Sequence, residues 1–195
     1  MVLDTRGRMV ATAIIATVIT LLSRGVPQAQ AGAQGPLAAD VLVSKAVKTA
    51  KAEHKVVLIE FGASWCVWCR HFDAFVHSTE VKSIIAANYV IVNLTVQERD
   101  DKKALENPGG EDLMNTWGGK EAGLPFYVFL NAAGVKIADS NGMPDGTNIG
   151  FPASPQEIQA FVRIIDRTAL RLPPSARTKV IDYLTKAAAP TPAAK

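Results

Sequence analysis

Two cysteines separated by two residues are the most reactive feature of this chain. Cys66 and Cys69 are its only cysteines, and they lie in the stretch Trp65-Cys66-Val67-Trp68-Cys69. Two thiols at this spacing can bond to each other with little movement of the chain, so the pair can switch between dithiol and disulfide. A disulfide closing so short a loop would remove little entropy from the unfolded chain. The motif therefore predicts thiol-disulfide exchange rather than a structural bridge.

The segments on either side of the motif predict how it is held. Residues 56–61 form a nearly continuous apolar run, which is typical of a central strand covered on both faces. After Gly62 the motif opens a helix predicted to reach Val76. The amino end of a helix carries partial positive charge and free N–H groups, both of which favour a thiolate. Cys66 is expected at this end, exposed, with Arg70 and His71 adding positive character nearby.

The remaining pattern alternates strands and helices. We predict helices over 40–55, from a cap at Ser78 or Thr79, and from the capping box Ser154-Pro155-Gln156-Glu157, with a last helix after Pro174. Strands are predicted over 89–96, parallel to the first, and over 126–130 and 135–139 as a hairpin. Residues 97–124 are predicted as a long loop with one helical turn at 111–117, and loops of this length are usually functional. This order predicts an α/β fold with a mixed central sheet and helices on both faces.

The amino terminus has the pattern of a secretory signal peptide. Arg6 and Arg8 precede an apolar stretch at residues 9–22, and Ala29-Gln30-Ala31 is a small-x-small cleavage site. The stretch is short of the roughly 20 residues that span a bilayer, so cleavage is favoured over a membrane anchor. We expect a periplasmic or secreted protein with a signal peptide at 1–31, one domain at 32–186 and a disordered tail at 187–195.

Charge gives no indication of nucleic acid binding. The whole chain has 21 basic and 18 acidic residues, and removal of 1–31 takes away three arginines and one aspartate. The remainder is close to neutral, so no basic footprint is left for a nucleic acid partner.

The strand, the W-C-x-W-C helix start, Ser78-Thr79-Glu80-Val81 and Gly123-Leu124-Pro125 before a hairpin resemble the thioredoxin superfamily. The pattern is most similar to exported single-domain thioredoxin-like proteins, related to the C-terminal domain of thiol-disulfide interchange proteins. The resemblance implies a three-layer α/β/α sandwich covering about residues 37–170.

The resemblance also implies roles for individual residues. Cys66 matches the attacking thiol, Cys69 the resolving thiol, and Glu60 a buried acid that assists proton transfer at the resolving sulfur. Pro125 matches a cis-proline that holds substrate backbone beside the disulfide, and Leu124 would pair with that backbone. The implied function is an oxidoreductase that exchanges electrons with disulfides of other proteins, in the reductase direction, as a monomer without cofactor.

Other interpretations remain open at this stage. Trp65 and Trp68 would shield the sulfurs or form an apolar docking rim for substrate, whereas Trp117 is expected to anchor its loop in the core. Glu60 could instead be a strand end that reaches solvent. A zinc site would need both cysteines and two of His54, His71 and His77, whose spacing is not that of a metal site, and Arg70 takes the place of the histidine that haem attachment requires.

No third cysteine exists to relay electrons, so a membrane or soluble redox partner is needed to regenerate the pair. The alternative from another class is a binding module that holds a protein partner without turnover, its disulfide being structural.

Overall fold

A computed structural model describes residues 35–188. The predicted signal peptide at 1–31 and residues 189–195 of the predicted tail lie outside this range. The described helices are Ala39–Glu53 (α1), Val67–His77 (α2), Lys82–Asn88 (α3), Gly110–Thr116 (α4), Pro155–Thr168 (α5) and Pro174–Ala188 (α6), and the strands are Val56–Gly62 (β1), Tyr89–Thr95 (β2), Phe126–Leu130 (β3) and Lys136–Asp139 (β4). None of these helices has the length and hydropathy needed to cross a bilayer.

The four described strands form one mixed sheet in the order β2-β1-β3-β4. Strand β1 is parallel to β2 and antiparallel to β3, and β3 is antiparallel to β4. The parallel pair is connected through α2 and α3, as a crossover connection requires. The predicted parallel pair and hairpin are therefore confirmed.

Alternation along β1 divides the core into two parts. Val57, Ile59 and Phe61 face α1 and α4, whereas Val56 and Leu58 face α2, α3, α5 and α6. Helices thus cover both faces of the sheet, which confirms the predicted three-layer α/β/α sandwich. Glu60 has the parity of Leu58 and not of Ile59, so its side chain is directed to the face that α2 covers.

Of the predicted helix N-caps, that of α5 is confirmed and that of α3 is wrong. Ser154 and Glu157 form the predicted capping box at the start of α5. The predicted cap at Ser78 or Thr79 is wrong, because Val81 is the N-cap of α3 and caps it with no side-chain hydrogen bond. The predicted first residue of the tail, Ala187, still belongs to α6.

Residues 97–124 contain more structure than the sequence predicts. The expected helical turn is α4, but a 3-10 helix, Asp100–Leu105, precedes it. Trp117 follows α4 and packs edge to face against Phe61 with 6.1 Å between ring centroids, as a loop anchor would.

Candidate functional site

The two cysteines form a disulfide at the amino end of α2. Their Cα atoms are 5.3 Å apart. Cys66 is the N-cap residue of the helix, and its Sγ accepts a hydrogen bond of 3.0 Å from the Cys69 backbone N–H. This amide is one of the free donors of the first helical turn. The donor therefore faces the sulfur that the sequence assigns to nucleophilic attack.

Both sulfurs are less accessible than the sequence predicts. Cys66 is 4% exposed and Cys69 is 8% exposed, so the expectation of an exposed attacking thiol is wrong for the oxidised pair. The physical reason is that the Cys66 side chain turns inward to cap the helix and to bond with Cys69. The residues around it do face solvent, with Trp65 39% exposed and Trp68 51% exposed. An exposed aromatic rim thus adjoins the buried disulfide.

Glu60 is a buried carboxyl beneath the disulfide. It is 5% exposed, which is incompatible with a strand end that reaches solvent. Desolvation, with a smaller contribution from the negative charge of Asp73, raises the pKa of Glu60 to about 8. Within residues 35–188, no hydrogen-bond donor reaches this carboxyl. Its protonation state can therefore change near neutral pH.

Gly62 leaves the space between the Glu60 carboxyl and the Cys69 sulfur open. A Cβ on Gly62 would lie 3.3 Å from Cys69 Sγ and 3.8 Å from Glu60 Oε1. Both groups also line a groove of about 560 Å³, together with Asp73 and Arg70. The groove connects the buried carboxyl with solvent.

The loop before β3 lies next to a second loop that fixes it. The Leu124-Pro125 peptide bond is cis, Pro125 is buried, and Leu124 is half-buried. Asn148 Nδ2 donates to the carbonyl oxygens of Gly123 at 2.6 Å and Pro125 at 3.1 Å. Asn148 belongs to the segment 142–153, between the predicted strand at 135–139 and the predicted helix at Ser154, where no helix or strand is predicted.

Phe151 connects this second loop with α2. Its ring stacks on Trp68 with a centroid distance of 6.0 Å, and it lies 5.5 Å from the ring of His71. His71 is exposed and packs against Phe151. Phe151 is the one aromatic residue in a segment rich in Gly, Pro and Asn. This was the sequence feature that could have indicated that the loop packs against the rest of the domain.

Sequence reasoning also missed three residues after β2. Gln97, Glu98 and Arg99 contact Ser64 and Trp65, directly before the disulfide. These contacts join positions more than 30 residues apart, and no local sequence pattern predicts such contacts.

The residues that a zinc site would need do not come together. Cys66 and Cys69 are bonded to each other. Within residues 35–188 there is no group of three or more His, Cys, Asp or Glu side chains placed to hold a metal ion.

Comparison with known proteins agrees with this fold. Residues 40–132 match a family model described as thioredoxin-like. The thiol:disulfide interchange protein DsbD of Photorhabdus laumondii is 30% identical over 98 residues, which are 48% of this chain and 15% of that protein. The chain thus spans only a small part of this curated relative. The resemblance to the thioredoxin superfamily is confirmed.

Identity to solved structures is lower. A disulphide isomerase from Xylella fastidiosa Temecula1 has 20% identity and a TM-score of 0.45, covering 85% of this chain and 98% of its own. The oxidised C-terminal domain of DsbD from Neisseria meningitidis has 21% identity and a TM-score of 0.37, covering 53% of this chain and 84% of its own.

Proposed function

We propose that this thioredoxin-like protein is an exported thiol-disulfide oxidoreductase that exchanges electrons with protein disulfides through Cys66 and Cys69. One arrangement carries the proposal: a disulfide at the amino end of α2 with the buried Glu60 carboxyl beside its second sulfur. A bridge with a purely structural role has no use for a carboxyl whose pKa is raised to about 8.

The first step uses the reduced pair. The Cys66 thiolate attacks one sulfur of a partner's disulfide, whose S–S bond breaks while a Cys66–partner bond forms. The partner's other sulfur leaves as a thiolate and takes a proton from solvent. The Cys69 N–H at Cys66 Sγ, together with the partial positive charge of the helix end, stabilises the attacking thiolate.

The second step releases the product. Ionised Glu60 takes the proton of the Cys69 thiol, and the resulting thiolate attacks Cys66 Sγ. The Cys66–partner bond breaks, the Cys66–Cys69 disulfide forms, and the partner leaves as a thiolate. Two electrons have then passed from the pair to the partner, and the proton on Glu60 can leave along the groove.

A partner would dock on the surface around the disulfide. Trp65 and Trp68 offer exposed aromatic area, and the backbone of Leu124 and Pro125 would pair with an extended segment of the substrate. Asn148 and Phe151 hold these two parts of the surface together.

Turnover requires an external source of electrons. The chain has two cysteines, so a membrane or soluble dithiol partner must reduce the disulfide after each cycle. We assign the reductase direction on the resemblance to interchange proteins. The signal-peptide pattern at 1–31 supports a location in the periplasm or the secreted fraction, where disulfides persist.

One observation favours the alternative of a binding module. Both sulfurs are almost fully buried, which suits a bridge that no partner touches. A protein-disulfide reduction assay with insulin and a dithiol reductant separates the two functions. The oxidoreductase accelerates the reduction and Cys66→Ser abolishes the acceleration, whereas a module gives no acceleration and binds its partner equally well with or without Cys66.

The equilibrium of the pair with glutathione tests the direction. A strongly reducing couple supports the reductase assignment, and an oxidising couple contradicts it. Sequencing the amino terminus of the exported protein tests the cleavage after Ala31.

A further inference from the structure

Every polar group of Ser64 is tied to a neighbour. Its backbone N–H and its hydroxyl donate to the two carboxylate oxygens of Glu98, the hydroxyl at 2.9 Å. Lys102 Nζ donates to the same hydroxyl at 3.2 Å, and Arg70 Nη1 donates to the Ser64 carbonyl oxygen at 3.3 Å. These four hydrogen bonds hold both the backbone and the side chain of Ser64 in place.

Trp65 is held by the residues on either side of Glu98. Its indole Nε1 donates to the Gln97 carbonyl oxygen at 2.8 Å, and the Arg99 guanidinium lies 4.8 Å from its ring centroid. This distance is that of a cation–π contact. Gln97 has a φ of 53°, a left-handed conformation that is unfavourable for a residue with a side chain. The segment 97–99 thus holds both Ser64 and Trp65 in place.

The burial of Glu98 lowers the free energy of unfolding unless its carboxyl is well paired. Glu98 is 3% exposed, and a buried carboxyl destabilises a protein unless strong hydrogen bonds compensate for its lost hydration. Both of its oxygens are used on Ser64, two residues before Cys66.

The turn that Ser64 belongs to sets the position of the attacking sulfur. Residues 63–66 form a turn in which the Cys66 N–H donates to the Ala63 carbonyl oxygen at 3.0 Å. Cys66 is 4% exposed while this turn is closed. Movement of Ser64 and Trp65 would displace Cys66 directly, because they are its covalent neighbours.

We infer that Glu98 is a positioning residue, which fixes the turn 63–66 and the Trp65 ring and thereby sets the access of partners to Cys66. This inference rests on the proposed function, in which Cys66 is the attacking sulfur and Trp65 belongs to the docking surface. Glu98 touches neither sulfur: it holds Ser64 directly, and it holds Trp65 through Ser64, its covalent neighbour.

The first test needs no partner protein. In a Cys69→Ser background, Cys66 is the only thiol, and its alkylation by iodoacetamide reports its accessibility and reactivity. We expect Glu98→Ala to accelerate alkylation about tenfold, because the loss of two charge-assisted hydrogen bonds releases the turn. Asp101→Asn, a carboxylate-to-amide change at an exposed position of the same segment, leaves the rate unchanged. Equal rates in the Glu98→Ala and unmutated backgrounds would overturn the inference.

The second test asks whether Glu98 acts through Trp65. In insulin reduction we expect Glu98→Ala to lower kcat/KM about tenfold, mainly through KM, and to have little further effect when Trp65→Ala is already present. Additive losses would contradict a positioning role through the indole. If Glu98→Ala does not fold, Glu98→Gln, which leaves one Ser64 donor poorly paired, takes its place in both tests.

The two tests also separate this inference from the proposed function. Faster alkylation in Glu98→Ala together with no insulin reduction by the unmutated protein would support the positioning role and refute the oxidoreductase. Insulin reduction with no change in alkylation would do the reverse.

Discussion

Two buried glutamates flank the disulfide, and their surroundings differ. Glu60 is 5% exposed, has no hydrogen-bond donor at its carboxyl within residues 35–188, and has a pKa raised to about 8. Glu98 is 3% exposed, and both of its oxygens accept hydrogen bonds from Ser64. Burial alone therefore does not assign a role to a carboxyl. Without donors it is suited to exchange a proton, and with two fixed donors it is suited to hold a turn.

The largest expected effect comes from Cys69→Ser, which confines the chemistry to the first step. Turnover is lost, and a Cys66–partner mixed disulfide accumulates, because no second thiolate exists to break it. Non-reducing gel electrophoresis with mass spectrometry detects this species. In this background Glu60→Gln should leave the rate of its formation unchanged, since Glu60 serves only the second step. A slower formation would contradict the difference in role between the two glutamates.

The next effect concerns stability. The pKa of Glu60 in the folded state, about 8, lies above its ordinary value of 4.5. The contribution of this group to stability is therefore complete below pH 4.5 and is lost as the pH rises to about 8. Glu60→Gln removes this loss, so the variant should gain up to about 4 kcal/mol over the wild type at pH 8 and little at pH 4.5. Urea unfolding at both pH values measures the difference.

Glu98→Gln is the matched control for this stability prediction. An amide has one acceptor oxygen in place of two, so the variant leaves one Ser64 donor poorly paired and should lose stability. A gain comparable to that of Glu60→Gln would contradict the difference in role between the two glutamates.

A smaller effect is expected on the rate of release. Glu60→Gln should slow the breakdown of the mixed disulfide about 100-fold, as the loss of a general base does, and should change its formation little. In the wild type this breakdown should accelerate as the pH rises through about 8, where Glu60 ionises. Stopped-flow measurement of Trp fluorescence across this range follows the step. An unaltered pH profile in the variant would refute the proton-transfer role.

Gly62→Ala tests the space between carboxyl and sulfur. The added methyl would lie 3.3 Å from Cys69 Sγ, closer than an ordinary contact, and 3.8 Å from Glu60 Oε1. We expect release to slow about tenfold, because small displacements of reacting groups are costly. The alkylation rate of Cys66 in the Cys69→Ser background should not change. A change there would mean that the methyl disturbs the whole turn.

The smallest effect is expected for Asp73→Asn. Asp73 contributes the lesser part of the rise in the pKa of Glu60, so its neutralisation should shift the pH profile of release to lower pH. The side chain of Asp73 is 57% exposed, and solvent and salt screen its charge. The shift should therefore shrink when the wild type and the variant are compared at high ionic strength.

The sequence predicts those parts of the molecule that local patterns encode. The apolar run 56–61 is sufficient to predict a central strand covered on both faces, and Ser154 with Glu157 is sufficient to start α5. The cap of α3 fails as a prediction because Ser78 is instead the C-cap residue of α2 and the Thr79 hydroxyl donates to the Glu80 carboxylate, so α3 starts only after Val81. The burial of Cys66 and the bonds from Glu98 to Ser64 depend on segments that meet only in the folded chain, so spacing alone does not reveal them.

The loop that carries Asn148 and Phe151 has a mechanical consequence. Asn148 is bonded to the carbonyl oxygens of Gly123 and Pro125, and Phe151 is stacked on Trp68. One short loop thus contacts both the Leu124-Pro125 backbone and the Trp68 ring, between which a partner's chain would lie, and holds their separation fixed. A space of fixed width admits an extended, unfolded segment of polypeptide more readily than a rigid folded surface. The loop would therefore select unfolded partner segments before any sulfur reacts.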